Sequence, residues 1–190
     1  MTHFFVAGIA MTVFGRHAER SLEDLAGEAL IRALADAGCA APQIGVAYYS
    51  GMTNGTLQGQ ISIPGQVVFS KIGIEGIPVY NVENACASGS SAFNLAVQSL
   101  KAGTTDVALA LGAEKMNIPD KAKSFAIFEG GWDVSRVDET YATLVKMGEG
   151  ITPPPGSESD RPYSKFMAVY AAFCRWHMKT YGTTQRQIAA

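Results

Sequence analysis

Apolar positions along the chain fall into two alternating kinds of pattern. Leu22, Leu25, Ala26, Ala29, Leu30, Ala33, Leu34 and Ala37 recur at i, i+3, i+4 spacing, which predicts an amphipathic helix. Ser21 supplies its N-cap, Glu23 and Asp24 set carboxylates at the positive end of its dipole, and Gly38 offers a left-handed C-cap. Phe4 to Val13, Val46 to Ser50 and Pro78 to Val82 are β-compatible runs, and Val107 to Gly112 is an unbroken apolar run of the kind seen in a parallel strand covered on both faces. Pro64 to Ile72 predicts a short helix ending at Gly73, with Gly51 to Thr56 as the loop before it. A second long helix runs through Lys101 and stops at Gly103. Its positions Ala92, Phe93, Leu95, Ala96, Val97 and Leu100 are apolar or small nearly all round, which predicts burial between two layers. The order βαβ(α)βαβ makes this an α/β chain.

After Glu114 the alternation ends. Phe125 to Gly131, the charged stretch Asp133 to Glu139 and the turn Pro153-Pro154-Pro155-Gly156 read as an excursion without strands. A helix resumes near Ser164 with Phe166, Val169, Tyr170, Phe173 and Trp176, ends near Tyr181-Gly182, and is followed by a new one capped by Thr183 or Thr184. Residues 1–116 therefore read as an α/β domain, and 117–190 as the start of a separate domain.

At 190 residues, 47% hydrophobic and 17% charged, with a net charge of −2, the chain can bury a core and is no disordered tail, nucleic-acid arm or polybasic membrane peptide. No apolar run reaches the roughly 20 residues of a membrane span, and the start lacks a basic leader, which points to a soluble cytoplasmic protein. Cys39, Cys86 and Cys174 form no Cys-x-x-Cys pair, so neither a disulfide framework nor a thiolate metal site is expected.

Cys86 stands out, because it sits where a strand gives way to the N-terminus of a helix. Unpaired N–H groups and the positive end of the dipole there stabilise a thiolate, the form that attacks carbonyls, and the same N–H groups suit a developing oxyanion. Ala85, Ala87, Ser88, Gly89, Ser90 and Ala92 around it leave room for an acyl group. On position alone, two readings stand: a nucleophile, or a small core residue.

The segment Asn84-Ala85-Cys86-Ala87-Ser88-Gly89-Ser90-Ser91-Ala92-Phe93 resembles the nucleophile segment of thiolases, especially the branch of sterol-carrier-protein and lipid-transfer-type thiolases. Gly103 to Met116 is similar to the strand that follows it in the family, and His177-Met178-Lys179-Thr180-Tyr181-Gly182-Thr183-Thr184 to a helix–turn–helix of the family's loop domain. The resemblance spans essentially the whole chain and favours Cys86 as nucleophile. It implies a layered αβαβα fold of two similar halves, of which only the N-terminal half and part of the inserted loop domain are present. It also implies a Cys86 acylated by a coenzyme A thioester in reversible Claisen chemistry, with coenzyme A as substrate or product and no permanently bound cofactor. A dimer across the third strand, with tetramers common, follows from the same likeness.

Thiolases also carry a later Asn or His segment, a Gly-His-Pro histidine and a second cysteine in a Cys-x-Gly setting. Here the histidines are His3, His17 and His177, none followed by proline, and neither Cys39 nor Cys174 lies in that setting. The chain as written is therefore expected not to turn over by itself. Three accounts fit: truncation, a complementary chain that supplies the other half, or a fold kept without its chemistry. Truncation fits best, since Gln185 to Ala190 begins a helix without a C-cap. The rivals to a thiolase are a ketoacyl synthase, a lipid-transfer-type aldolase and a non-catalytic thiolase-like partner subunit. Cys39 reads as a loop residue, Cys174 as a buried apolar one, His177 as a helix-end cation, and Asp133, Arg136, Asp138 and Glu139 as a solvated face.

Overall fold

The computed structural model describes residues 3–152, 156 and 164–190; the proline turn at 153–155 lies outside the described residues. The chain divides into two compact units, Met1–Ile127 and Phe128–Ala190.

The first unit is built on one strand. β1 (Val46–Ser50) is buried at every position and lies between β2 (Val79–Val82) and β3 (Ala108–Gly112), parallel to both. Because side chains alternate along a strand, Ala47 and Tyr49 face one side and Val46 and Tyr48 the other. On the first side they join Leu22, Ala26 and Leu30 of α1 (Leu22–Ala37) and Val68 and Phe69 of α2 (Pro64–Lys71). On the second they meet Ala92 and Ala96 of α3 (Ser88–Lys101), and the Tyr48 hydroxyl shares a 2.6 Å hydrogen bond with Ser99. The strand order β2-β1-β3 requires this split. The chain steps one way from β1 to β2 and back the other way to β3, so right-handed crossovers put α2 and α3 on opposite faces.

The predicted caps form. Ser21 and Asp24 make a reciprocal capping box on α1, and Gly38 closes it at φ 60°. Pro64 opens α2 at a helix start, where a missing N–H costs nothing, and Gly103 stops the segment after α3 at φ 68°.

Two expectations fail. Phe4 to Val13 forms no strand: Phe5 and Val13 are 83% and 73% exposed. The stretch is tied to α1 instead, Ile9 N–H donating to Asp36 at 2.9 Å and Arg32 donating to the Met11 carbonyl at 3.0 Å. Residues 10–12 and β3 line a common cleft of about 190 Å³ and make no ladder with each other. Nor is α3 covered all round, for Ala92 and Ala96 are buried on the sheet while Phe93 and Leu95 are 50% and 39% exposed. The three-stranded sheet covers one face only, and none of the described residues covers the other.

The excursion is helical. After Glu114 come α4 (Lys121–Ala126) and a 3-10 turn Ile127–Gly131. In the second unit α5 (Val137–Lys146), missed in the charged stretch, packs on α6 (Lys165–Tyr181). Val137, Tyr141, Leu144 and Val145 give α5 an apolar stripe, and Asp138 pairs with Lys165 at 2.9 Å. The helix expected near Ser164 is α6, with Ser164 as its cap, and of the two threonines Thr184 caps α7 (Gln185–Ala189).

A Cβ on Gly65 would stand 2.6 Å from the Tyr49 Cβ and 2.8 Å from Asn81 Oδ1. Gly65→Ala is therefore expected to destabilise the fold by about 1–3 kcal/mol, read by denaturant unfolding; an unchanged midpoint would refute this close fit. Burial pushes the Tyr49 phenol up to about 12, against the pull of the Asn54 hydrogen bond. The folded state thus keeps this proton to higher pH than the unfolded chain. Stability from this group is whole below about pH 10 and falls by about 2–3 kcal/mol as pH rises toward 12. Tyr49→Phe is expected to be less stable at pH 7 by about 1–2 kcal/mol, since Asn54 loses its acceptor, yet flatter across that alkaline window.

Candidate active site

In a parallel sheet, ligands bind beyond the carboxyl ends of the strands, where neighbouring connections leave toward opposite faces. Here that point lies between β1 and β2. The loop after β1 leads to α2 on one face, and the turn after β2 leads to α3 on the other. Cys86 lies on the second of these connections and is exposed.

The turn departs from a direct strand-to-helix junction. Val82 ends β2, Ala85–Ala87 form a short 3-10 turn, and α3 begins at Ser88. Cys86 therefore sits in the middle of the turn, just ahead of the helix. Side chains fasten the backbone on both sides of it. Ala85 N–H donates to Glu83 Oε1 at 2.6 Å, and Asn84 N–H donates to Ser88 Oγ at 2.9 Å. Ser88 Oγ donates in turn to the Ala85 carbonyl at 2.7 Å, and Asn84 Nδ2 donates to Ser91 Oγ at 2.9 Å. Ala87 N–H returns to the Asn84 carbonyl, and Ser88 N–H to that of Ala85. Among the described residues the Cys86 N–H has no such partner.

Ala85 has φ +46°, a left-handed conformation that costs a residue with a Cβ about 1–3 kcal/mol. Such strain persists only where the surroundings impose it, and it stands here next to Cys86. Beneath the turn, Ser50 at the end of β1 is 4% exposed, and a Cβ on Gly89 would stand 4.0 Å from its Oγ. Gly112 lets β3 close over the same hydroxyl, since a Cβ there would come within 2.6 Å of it.

The loop after β1 is held from β3's far end. The Glu114 carboxylate accepts Met52 N–H at 2.6 Å, Thr53 N–H at 3.2 Å and the Thr53 hydroxyl. Thr53 and Asn54 are buried, and Asn54 Nδ2 donates to the Tyr49 hydroxyl at 3.1 Å. A cleft of about 240 Å³ lies among Ser21, Glu23, Gln58, Gln60 and Lys115; Cys86 is not in its wall.

Of the three cysteines, Cys86 is the one set in this turn. Cys39 is a half-buried loop residue near the Ala40 carbonyl. Cys174 is half-buried on α6, and the His177 ring lies 4.7 Å from that of Tyr181. Arg136 and Glu139 pair with each other on an exposed face. The clamps Glu83, Ser88 and Glu114 went unread, although a Glu two residues before a small-residue turn and a Ser at its end are visible signals of side-chain capping.

Residues 4–150 match the family profile described as "Thiolase, N-terminal domain". The sterol carrier protein 2 of Homo sapiens is 38% identical over 94% of this chain and 30% of its own length. That of Bos taurus is 31% identical over 97% of the chain and 31% of its own length. An acetyl-CoA acetyltransferase of Methanocaldococcus jannaschii is 38% identical over 97% of the chain and 41% of its own. The chain thus spans about a third of the length of the sterol carrier relatives. A crystal structure of Xanthomonas campestris OleA shares the fold, with a TM-score of 0.50 at 21% identity over 58% of this chain and 32% of that one. With the α/β core, the turn after β2 and a match over more than half its residues in agreement, the chain belongs to the thiolase family, whose N-terminal domain it carries.

Proposed function

We propose that the chain is the nucleophile-bearing part of a thiolase-type acyltransferase that acts on acyl-CoA or 3-ketoacyl-CoA thioesters through an acyl-Cys86 intermediate. The observation that carries this reading is the turn itself. An exposed cysteine, whose backbone N–H has no hydrogen-bond partner among the described residues, is held ahead of α3 at the carboxyl end of a parallel sheet. The Cys86 thiolate adds to the thioester carbonyl and forms the new C–S bond. The carbonyl oxygen becomes an oxyanion, for which the Cys86 N–H is a donor, and the intermediate collapses by breaking the bond to the coenzyme A sulfur. Cys86 loses its proton to solvent on ionising, and the departing coenzyme A thiolate takes one up from solvent, so the transfer balances.

Completing a Claisen condensation or a thiolytic cleavage also needs an acid and a base at the α-carbon. The 190 residues offer no Gly-His-Pro histidine to serve as the base for Cys86 and no cysteine in a Cys-x-Gly setting to serve the α-carbon, so the chain alone is expected to acylate without turning over. Coenzyme A enters as substrate or product, residues 117–190 belong to the loop domain beside it, and the protein works in the cytoplasm. A dimer across β2 suits the fold, because β2 is an edge strand and its Tyr80 is 52% exposed.

Incubation with acetyl-CoA or acetoacetyl-CoA is expected to add one acyl group to the Cys86 peptide, read by mass spectrometry, and Cys86→Ala to abolish it. A label that survives Cys86→Ala would overturn the reading. An aldolase or a non-catalytic subunit would show no stable acyl-cysteine, and a ketoacyl synthase would accept an acyl-carrier protein as donor. Gel filtration of the intact protein is expected to give a dimer or larger; a monomer would count against pairing through β2.

A further inference from the structure

Among the described residues, two that carry a Cβ have positive φ, Ile63 and Ala85. Ile63 precedes Pro64, and a following proline disfavours the ordinary helical region. Ala85 has no such covalent reason. What surrounds it instead is a pair of side-chain clamps, one on each side of its N–Cα bond. Glu83 takes the N–H at 2.6 Å, and Ser88 donates to the carbonyl at 2.7 Å. Ser88 is itself fixed, being 6% exposed and holding the Asn84 N–H. Glu83 is exposed and makes no ion pair among the described residues, so neither packing nor a charge partner accounts for its placement. Its contact is the Ala85 N–H.

The two clamps together fix the peptide planes before and after Ala85. The second of those planes carries the Cys86 N–H, and the Cys86 Cα follows it directly. We propose that Glu83 is a positioning residue for Cys86: with Ser88 it holds Ala85 left-handed and so sets the direction in which Cys86 presents its thiol and its N–H. This rests on Cys86 being the acylated nucleophile. Acylation needs the sulfur and the N–H aligned on one carbonyl at once, whereas alkylation by a small electrophile needs only an accessible sulfur.

That difference gives the test. In the intact protein, Glu83→Ala is expected to slow acylation of Cys86 by acetyl-CoA roughly ten- to a hundredfold, while alkylation by iodoacetamide stays within about twofold. Glu83→Gln retains an oxygen that accepts the Ala85 N–H and is expected to acylate near the unsubstituted rate. Ala85→Gly, for which the left-handed conformation carries no Cβ penalty, is expected to restore most of the lost rate in the Glu83→Ala background. Amide exchange at Ala85 should be slowed by Glu83 and quicken in Glu83→Ala. Equal acylation by Glu83→Ala and the unsubstituted protein overturns the proposal alone, as does a folded double variant that stays slow. No acylation of the unsubstituted protein overturns the nucleophile reading, and this proposal with it.

Discussion

The complete burial of β1 is the constraint on which the first unit depends. A five-residue strand with no exposed position must receive apolar matter on both faces, and its alternation divides the work between Ala47 and Tyr49 on one side and Val46 and Tyr48 on the other. Once α1 and α2 fill the first face and α3 the second, the connections after β1 and β2 have to part. The opening they leave at the strands' carboxyl ends is where Cys86 stands. The location of the Cys86 turn is thus a consequence of strand order, not of any feature of the turn itself.

The turn adds what topology cannot. Strand order brings the chain to the right edge of the sheet, but the orientation of one thiol and one N–H depends on torsions of individual residues. These are held by side chains: Glu83 and Ser88 about Ala85, Asn84 onto Ser91, and Glu114 on the neighbouring loop. Small residues make room for this. Gly112 lets β3 close onto Ser50, and Gly89 at the start of α3 lies over the same buried hydroxyl at the end of the central strand. The strain at Ala85 is local, and the stability that offsets it comes from the packed sheet below.

Much of this was legible in the sequence because it follows from periodicity and caps. The bounds of β1, the Ser21 to Gly38 helix and the Thr184 cap all rest on local signals that tertiary contacts did not override. The failures share a cause. Phe4 to Val13 has strand-like composition, but a strand needs a neighbour to bond, and pairing partners are not written in a single run of residues. The exposed face of α3 is the same case: apolar side chains all round predict cover, not what provides it. The charged stretch hid α5 because its apolar stripe of Val137, Tyr141, Leu144 and Val145 was diluted by Asp138, Glu139 and Lys146. At the site, Cys86 was readable through a motif, whereas Glu83 and Ser88 act through backbone groups and carry no motif of their own.

On the proposed reading of Cys86 as nucleophile, its presentation and the handling of its protons are separable tasks in this fold. The contacts that set Cys86 in place all come from residues 83–91, within a turn and the first residues of one helix, over a base supplied by β1 and β3. Each of these contacts is made to a backbone group or between side chains of the turn, and none among the described residues to the Cys86 sulfur. A turn so constituted can keep the same cysteine aimed while the groups facing it differ. Reaction type would then be decided by what is brought opposite the open side of Cys86, and speed by how firmly Ala85 is held.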